Sequence, residues 1–462
     1  MKYFQFSIYL MAFLVVFAGC EKAMEQKDPQ AFNDENAYTT IDHVQLGLNG
    51  AYAAFGSCIS DIYKTALTSD EVKIGPDNGG SGLITYRYQY GSDNTSGGDV
   101  TAGYFGYYAM IDQINRVLAN VDKVSGGSTF TKNKIKGELL GLRAIAHFAL
   151  MQSFCKKYEP SGLGIAVMTS YDNAAKPARN TMSEVISQIE TDISAAKGYL
   201  GTPTDFIDYE INSVNLTAFQ ARVALFKRDY TAAKNLATNI ISSLNGLAQG
   251  DDYRDIWMDK LSIGAQQEVL FRYRTGNSTS LGGLWTSTSG LIPIAPSSKL
   301  INEFADNDIR KNTFFDTLEA EIYFVKKHYE SDRGARRVDV KYIRLSEMYL
   351  IRAEANAMLG DVAAGTADLN TLRTARISGY VDDTFATSAE LMEAIIEERY
   401  KELCFEGFRF YDLKRTSRPV IRESVDAQAD WIKLDSNSYK FVYPIPRSAI
   451  LSNPNTVQNP GY

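Results

Sequence analysis

Apolar residues recur at spacings of three and four along most of this chain, the period of a helix that buries one face. Between Tyr104 and Val121 the stripe is Tyr108, Ile111, Ile114, Leu118 and Val121. Residues 135–158 carry a longer, more apolar stretch with Leu139, Leu142, Ile145, Phe148 and Met151, and residues 45–55 alternate small and apolar positions at the same spacing. Thr181 with Glu184 three positions on has the form of a capping box, and Val185, Ile189 and Ile193 continue that helix to Leu200. Residues 216–241 and 342–376 each predict two helices joined by a short turn, and 388–408 predict one more, capped by Ser388. Two segments break the pattern: 75–103, rich in Gly, Asp, Asn, Ser and Tyr, and 276–296, rich in Gly, Ser and Thr around Trp285. Irregular segments of that length inside a compact protein are commonly functional.

Two of the helix pairs resemble each other. Residues 221–234 (ARVALFKRDYTAAK) align with 353–366 (AEANAMLGDVAAGT), placing Asp229 and Asp361 in the turns and small Ala233 and Gly365 just after them. The pattern is similar to tetratricopeptide helix–turn–helix repeats, although the two copies are far from tandem. A mostly α fold follows, built of such pairs, with a loop-rich, irregular portion between them.

The amino terminus changes the picture of location. MKYFQFSIYLMAFLVVFAGC has a positive start at Lys2, an uncharged apolar stretch from Ile8 to Ala18, and small Ala18 and Gly19 before Cys20. This is the layout of a secretory signal, too short for the about 20 residues of a membrane span. The residues before Cys20 match a bacterial lipobox, with Phe17 where leucine is more usual. Residues 1–19 are thus expected to be a lipoprotein signal peptide and Cys20 the lipidated residue. Residues 20–40 are expected to be a tether, polar from Glu21 to Asn36, and 41–462 a single domain. Acyl chains on Cys20 would hold the protein to the membrane by burial of their methylenes.

Composition narrows the chemistry. The chain has 462 residues, 45% hydrophobic and 22% charged, with a net charge of −7 and no basic run, which argues against nucleic-acid binding. It has three histidines but 28 tyrosines, a balance that favours aromatic contact over acid–base work. HExxH, CxxC, P-loop, GxGxxG and GxSxG motifs are absent. Glu397, Glu398, Glu402 and Glu406 could suggest a pair of catalytic acids in a helical-barrel glycosidase. Arg399, Lys401, Arg409 and Arg415 lie among them, so a structural network of ion pairs along the helix is the better reading. Arg409 and Arg415 can fork onto carboxylates. Cys155 and Cys404 lie in apolar helical patterns and read as small buried hydrophobes. With Cys58 they could form at most one disulfide.

At this point several motifs carry a resemblance. Residues 342–355 (YIRLSEMYLIRAEA), 367–376 (ADLNTLRTAR), 397–415 (EERYKELCFEGFRFYDLKR), 443–454 (YPIPRSAILSNP) and the ending QNPGY resemble the SusD/RagB family. So do GELLGLRA at 137–144, Gly162-Leu-Gly-Ile and Arg179-Asn-Thr, in the same order. The resemblance covers nearly the whole chain after the signal. It falls into an amino-terminal segment of about 41–241 and a carboxy-terminal one of about 296–462. It implies tetratricopeptide-like helix pairs in a right-handed superhelical scaffold. It implies an outer-membrane, surface-exposed lipoprotein of Bacteroidota that captures oligosaccharide, or in some members peptide. The captured ligand is delivered to a SusC-like TonB-dependent transporter. It implies a binding protein, not an enzyme. No cofactor and no metal ligand set is expected, while whether a metal ion binds is left open by the sequence. A helical-repeat scaffold that binds only protein is the rival class.

Sugar rings offer apolar C–H faces and polar rims, so a site needs aromatic rings among short polar residues. The segment around Asp77 and Asn78 has that composition, and Tyr86, Tyr88 and Tyr90 alternate. An extended chain would turn all three tyrosines to one side and Arg87 to the other. Trp285, in the Gly- and Thr-containing stretch from Gly283 to Thr286, is the expected stacking platform. Asp77, Asn78 and Arg87 are the expected rim.

Overall fold

The computed structural model describes residues 37–462, apart from 94, 203–207, 261–267, 277–280, 288 and 320–321. The expected signal peptide, Cys20 and most of the expected tether therefore lie outside the described residues. The long helices are α1 (Ile41–Ala54), α2 (Ser57–Thr68), α3 (Gly98–Asn120), α4 (Thr129–Phe154), α5 (Met182–Leu200), α6 (Ser213–Phe226), α7 (Tyr230–Ser242), α8 (Leu345–Met358), α9 (Val362–Arg376) and α10 (Ser388–Glu402). From α3 onward each packs on the next, and α1 and α2 pack on α3. The Thr181 and Glu184 capping box forms as the sequence predicts. At α10 the cap is Thr387 with Glu390, one residue before the expected Ser388. The helix α2 has no counterpart in the sequence reading.

One step of this array joins helices far apart in the chain. α7 ends at Ser242 and α8 begins at Leu345, yet the two lie against each other. The two repeat-like pairs, separate in sequence, are thus neighbours in space. Asp229 and Asp361 cap α7 and α9 alike, each accepting from an amide three residues on, Ala232 or Ala364. The residue before each aspartate has positive φ. It is Gly360 in one copy and Arg228 in the other, which accepts a strained backbone to keep the same turn. A Cβ on Gly365 would lie 2.9 Å from the Ala353 carbonyl oxygen, so glycine is what lets α9 approach α8.

The intervening residues 243–344 form an excursion. Strand β2 (Val269–Tyr273) and strand β6 (Val340–Arg344) pair antiparallel and close its base. Within it, β3 (Ile294–Pro296) pairs with β1 (Val72–Ile74), and β4 (Phe315–Glu319) with β5 (Ile322–Val325). A last short pair joins β7 (Val420–Ile421) to β8 (Lys433–Leu434). A continuous hydrophobic cluster runs from Val44 on α1 to Ile445 near the carboxy terminus.

Buried arginine forks stitch the elements together. Arg143 of α4 grips Asp192 of α5 at 2.8 and 2.6 Å. Arg222 of α6 grips Glu347 of α8 at 2.7 Å twice. Arg352 joins α8 to Asp368 of α9, and Arg373 joins α9 to Glu398 of α10. The densest cluster surrounds Glu402, which is fully buried and contacts Arg344 at 2.8 Å, Arg376 at 3.1 Å and Arg310 at 3.2 Å. Glu268 shares Arg344 and Arg376 with it. Arg409 forks onto Asp70, and Arg415 onto Glu354, as the sequence suggested. The carboxylates of α10 do pair, but chiefly across the fold. Along the helix the structure gives Lys401–Glu398 at 3.6 Å.

Burial would raise the Glu398 pKa, yet Arg310, Lys401 and Arg373 outweigh it and hold the group at about 2. Its contribution to stability is complete above the reference 4.5 and is lost as pH falls toward 2. Removing one partner from a buried charge cluster leaves uncompensated charge and costs about 3–5 kcal/mol. Glu402→Ala is expected to lose that much in denaturant unfolding. Arg418→Ala, which breaks only the exposed pair with Glu393, is expected to lose below about 1 kcal/mol. Equal losses would contradict this hierarchy.

Candidate functional site

The two irregular segments meet. β1 pairs with β3 in the register Val72 to Pro296, Lys73 to Ala295 and Ile74 to Ile294. Beyond it the Gly75 amide donates to the Pro293 carbonyl at 2.9 Å, and a Cβ there would collide with the Ile292 carbonyl oxygen at 2.0 Å. Asp77 accepts from the Ile292 amide at 2.8 Å. Asn78 donates to the carbonyls of Pro293 and Ser81 and accepts from the Gly80 amide. Asp77 is exposed and Asn78 half-buried, so both clasp the loops at a surface.

The rings lie elsewhere. Trp285 is 0% exposed and packs between Tyr63 and Phe405, with centroid separations of 6.0 and 5.7 Å. Tyr86 and Tyr90 are 1% exposed and Tyr88 is 9% exposed. The alternation fails because Leu83–Tyr86 is a helical turn and Tyr88 has φ +57°. Tyr86 and Tyr88 cover Arg422, whose guanidinium lies 3.8 and 4.7 Å from their ring centres. Arg422 is itself buried and donates to the carbonyls of Leu67, Ser69, Tyr86 and Trp431. Tyr90 donates to the Lys440 carbonyl. Arg87 is half-buried and stacks on Trp431 at 4.2 Å.

An open groove of about 300 Å³ lies beside the loop junction, lined by Lys73, Pro76, Ala295, Ser298, Ile301, Asn302, Ile322 and Tyr323. β1 supplies Lys73, the helical turn Ser298–Asn302 supplies Ser298 and Asn302, and β5 supplies Tyr323. Lys73 donates to Ser298 Oγ at 2.8 Å and sits 3.4 Å from Asp426. Asp426 also accepts from the Ser298 and Lys299 amides, which fixes the turn. Tyr323 is 36% exposed. Beneath β1, burial lifts the Glu71 carboxyl to about 8, leaving it uncharged at neutral pH. Arg409 and Lys299 overcome burial to hold its neighbour Asp70 well below the usual carboxylate range. An open ring edged by an ammonium, a hydroxyl and an amide suits a ligand with apolar faces and a polar rim.

Residues 36–225 match a family model described as "Starch-binding associating with outer membrane", and residues 318–462 match one described as "SusD family". The chain belongs to the SusD family. Two SusD-like proteins of Formosa agariphila are 23% and 24% identical to it. The alignments cover 100% and 99% of this chain and 99% and 100% of theirs. Among solved structures, a putative sugar binding protein from Bacteroides vulgatus is 26% identical with TM-score 0.78, covering 92% of this chain and 100% of its own. A SusD superfamily protein from Bacteroides thetaiotaomicron has TM-score 0.79 at 24% identity, covering 91% of this chain and 100% of its own. The mostly helical fold class is that of the family.

Within this SusD-like frame the expected platform is corrected. Trp285, Tyr86, Tyr88 and Tyr90 have no open face for a sugar and serve as core. Asp77 and Asn78, expected on the rim, lie at the surface and are bonded to loop backbone. Tyr323, Lys73 and Asn302 were not singled out in the sequence; the apolar run Ile322-Tyr-Phe-Val suggests a strand, but nothing in it marks Tyr323 as outward-facing. Glu398, Glu402 and Glu406 are each buried on arginine, which removes them as an accessible acid pair. Cys58, Cys155 and Cys404 are buried free thiols. Trp285→Ala should therefore lower stability by about 3–5 kcal/mol, as deletion of a buried indole does. An unchanged melting temperature for that variant would return Trp285 to the list of surface rings.

Proposed function

We propose that this SusD-family chain is a lipid-anchored, surface-exposed outer-membrane protein that captures oligosaccharide. It binds the glycan and passes it to a SusC-like TonB-dependent transporter, and it does no chemistry on it. The observation that carries the ligand reading is the groove at the loop junction. There Tyr323 presents an open ring and Lys73, Ser298 and Asn302 present the polar rim. The family model's description as starch-binding and outer-membrane-associated supports the same reading, as does the sugar-binding title of the Bacteroides vulgatus structure. Among the described residues no helix is long and apolar enough to cross a membrane. What supports an anchor at Cys20 is the Ala18-Gly19-Cys20 boundary after the apolar stretch.

Full-length protein in detergent, screened against neutral oligosaccharides and short peptides, is expected to bind a glycan. Tyr323→Ala should weaken that binding by about 1–3 kcal/mol, as loss of a contact hot spot does, without shifting the melting temperature. Binding of peptides alone would redirect the reading to peptide capture, and wild-type affinity in Tyr323→Ala would remove the groove. Cys20→Ala should release the protein from the membrane fraction, and full retention would sink the lipid anchor. Co-purification of a TonB-dependent transporter from native membranes tests the partner. Its repeated absence under mild extraction would count against delivery.

A further inference from the structure

A second cavity, about 590 Å³ and roughly twice the volume of the groove, shares no lining residue with it. It falls within the roughly 300–1,000 Å³ typical of small-molecule sites. α1 contributes Gln45, Asn49 and Tyr52, α4 contributes Lys134 and Glu138, and Tyr209, Glu210, Arg272, Tyr273 and Arg274 close the other side.

Its charges are almost all spent. Lys134 pairs with Glu210 at 2.7 Å. Arg272 pairs with Asp208 at 2.8 Å and Asp339 at 2.7 Å. Arg274 makes no ion pair among the described residues. Its guanidinium lies 4.9 Å from the centre of the Tyr209 ring, which restrains its position without neutralising it. Guanidinium held in this way is suited to binding an oxyanion.

The polar groups around it also have capacity left. Gln45 donates to the Asn49 side-chain oxygen at 3.2 Å, leaving the Gln45 oxygen and the Asn49 amide nitrogen open among the described residues. Glu138 is 3% exposed. One of its oxygens accepts from Tyr52 at 2.5 Å, while the other has, among the described residues, only Lys134 at 3.9 Å. Burial lifts this carboxyl to about 7. Tyr273 offers a half-buried ring alongside.

We propose that this cavity is a second binding site, for a saccharide carrying one negative charge, a carboxylate or a sulfate ester. The anion sits on Arg274, and hydroxyls sit on Gln45, Asn49 and the open oxygen of Glu138. A single charge is specified because one cation is unspent among the described residues. The site is independent of the groove in its residues.

Titration calorimetry of the full chain in detergent tests it with three probes: cellobiouronic acid, cellobiose 6-sulfate and cellobiose. At least one acidic probe is expected to bind tenfold or more tightly than cellobiose, and the two acidic arms identify the anion. Arg274→Gln should bring the acidic probe to the level of cellobiose with an unchanged melting temperature, and Tyr323→Ala should leave its affinity unaltered. Equal affinity for cellobiose, no binding of either acidic probe, or wild-type affinity in Arg274→Gln would overturn the proposal. Loss of acidic-probe binding in Tyr323→Ala alone would assign the ligand to the groove and overturn it too.

Discussion

Glu402 has no exposed surface and sits among three guanidiniums, from Arg310, Arg344 and Arg376. In a low-dielectric interior neither sign can be left alone, because an isolated buried charge costs several kcal/mol. The three arginines arrive from the excursion, from the end of β6 and from α9, while Glu402 ends α10. All the charges are satisfied together only when the excursion returns and delivers α8 against α7. The same logic repeats at smaller scale, with Arg143–Asp192 between α4 and α5 and Arg222–Glu347 between α6 and α8. Apolar burial supplies the bulk of the driving force, and these forks fix which helix faces which.

That constraint also positions the loop junction beside the proposed groove. Arg409 and Lys299 grip Asp70, immediately ahead of β1. Arg422 gathers four carbonyls under the lid of Tyr86 and Tyr88. The loop junction thus rests on a platform of satisfied buried cations, and Tyr323 and Lys73 project from a rigid base. If the groove takes a glycan as proposed, a base held in this way has little freedom to lose on binding, which matters where each contact is weak.

Much of this was legible in the chain and some was not, for physical reasons. Helix periodicity, the Thr181 cap, and the paired turns at Asp229 and Asp361 depend on neighbours within a few residues. The forks of Arg409 and Arg415 were legible as a type of contact, though not their partners. Arg310 and Glu398 are 88 positions apart, and no local pattern announces such a pair. The loop rings misled because a Gly- and Ser-rich setting suggests exposure. Here it only lets the backbone bend until the rings turn inward, Tyr86 and Tyr88 onto Arg422 and Trp285 onto Tyr63 and Phe405. Asp77 and Asn78, expected on a ligand rim, lie in the loop turn and spend their side chains on neighbouring backbone.

The central claim is that the buried charge clusters make the amino-terminal helices, the excursion and the carboxy-terminal helices one cooperative body. Native-state hydrogen exchange along a denaturant series tests it directly. The account predicts that core amides of α4, α8 and α10 exchange with a common opening free energy and denaturant dependence. Exchange of α10 and α8 through an opening of markedly lower free energy, with α4 still protected, would contradict it.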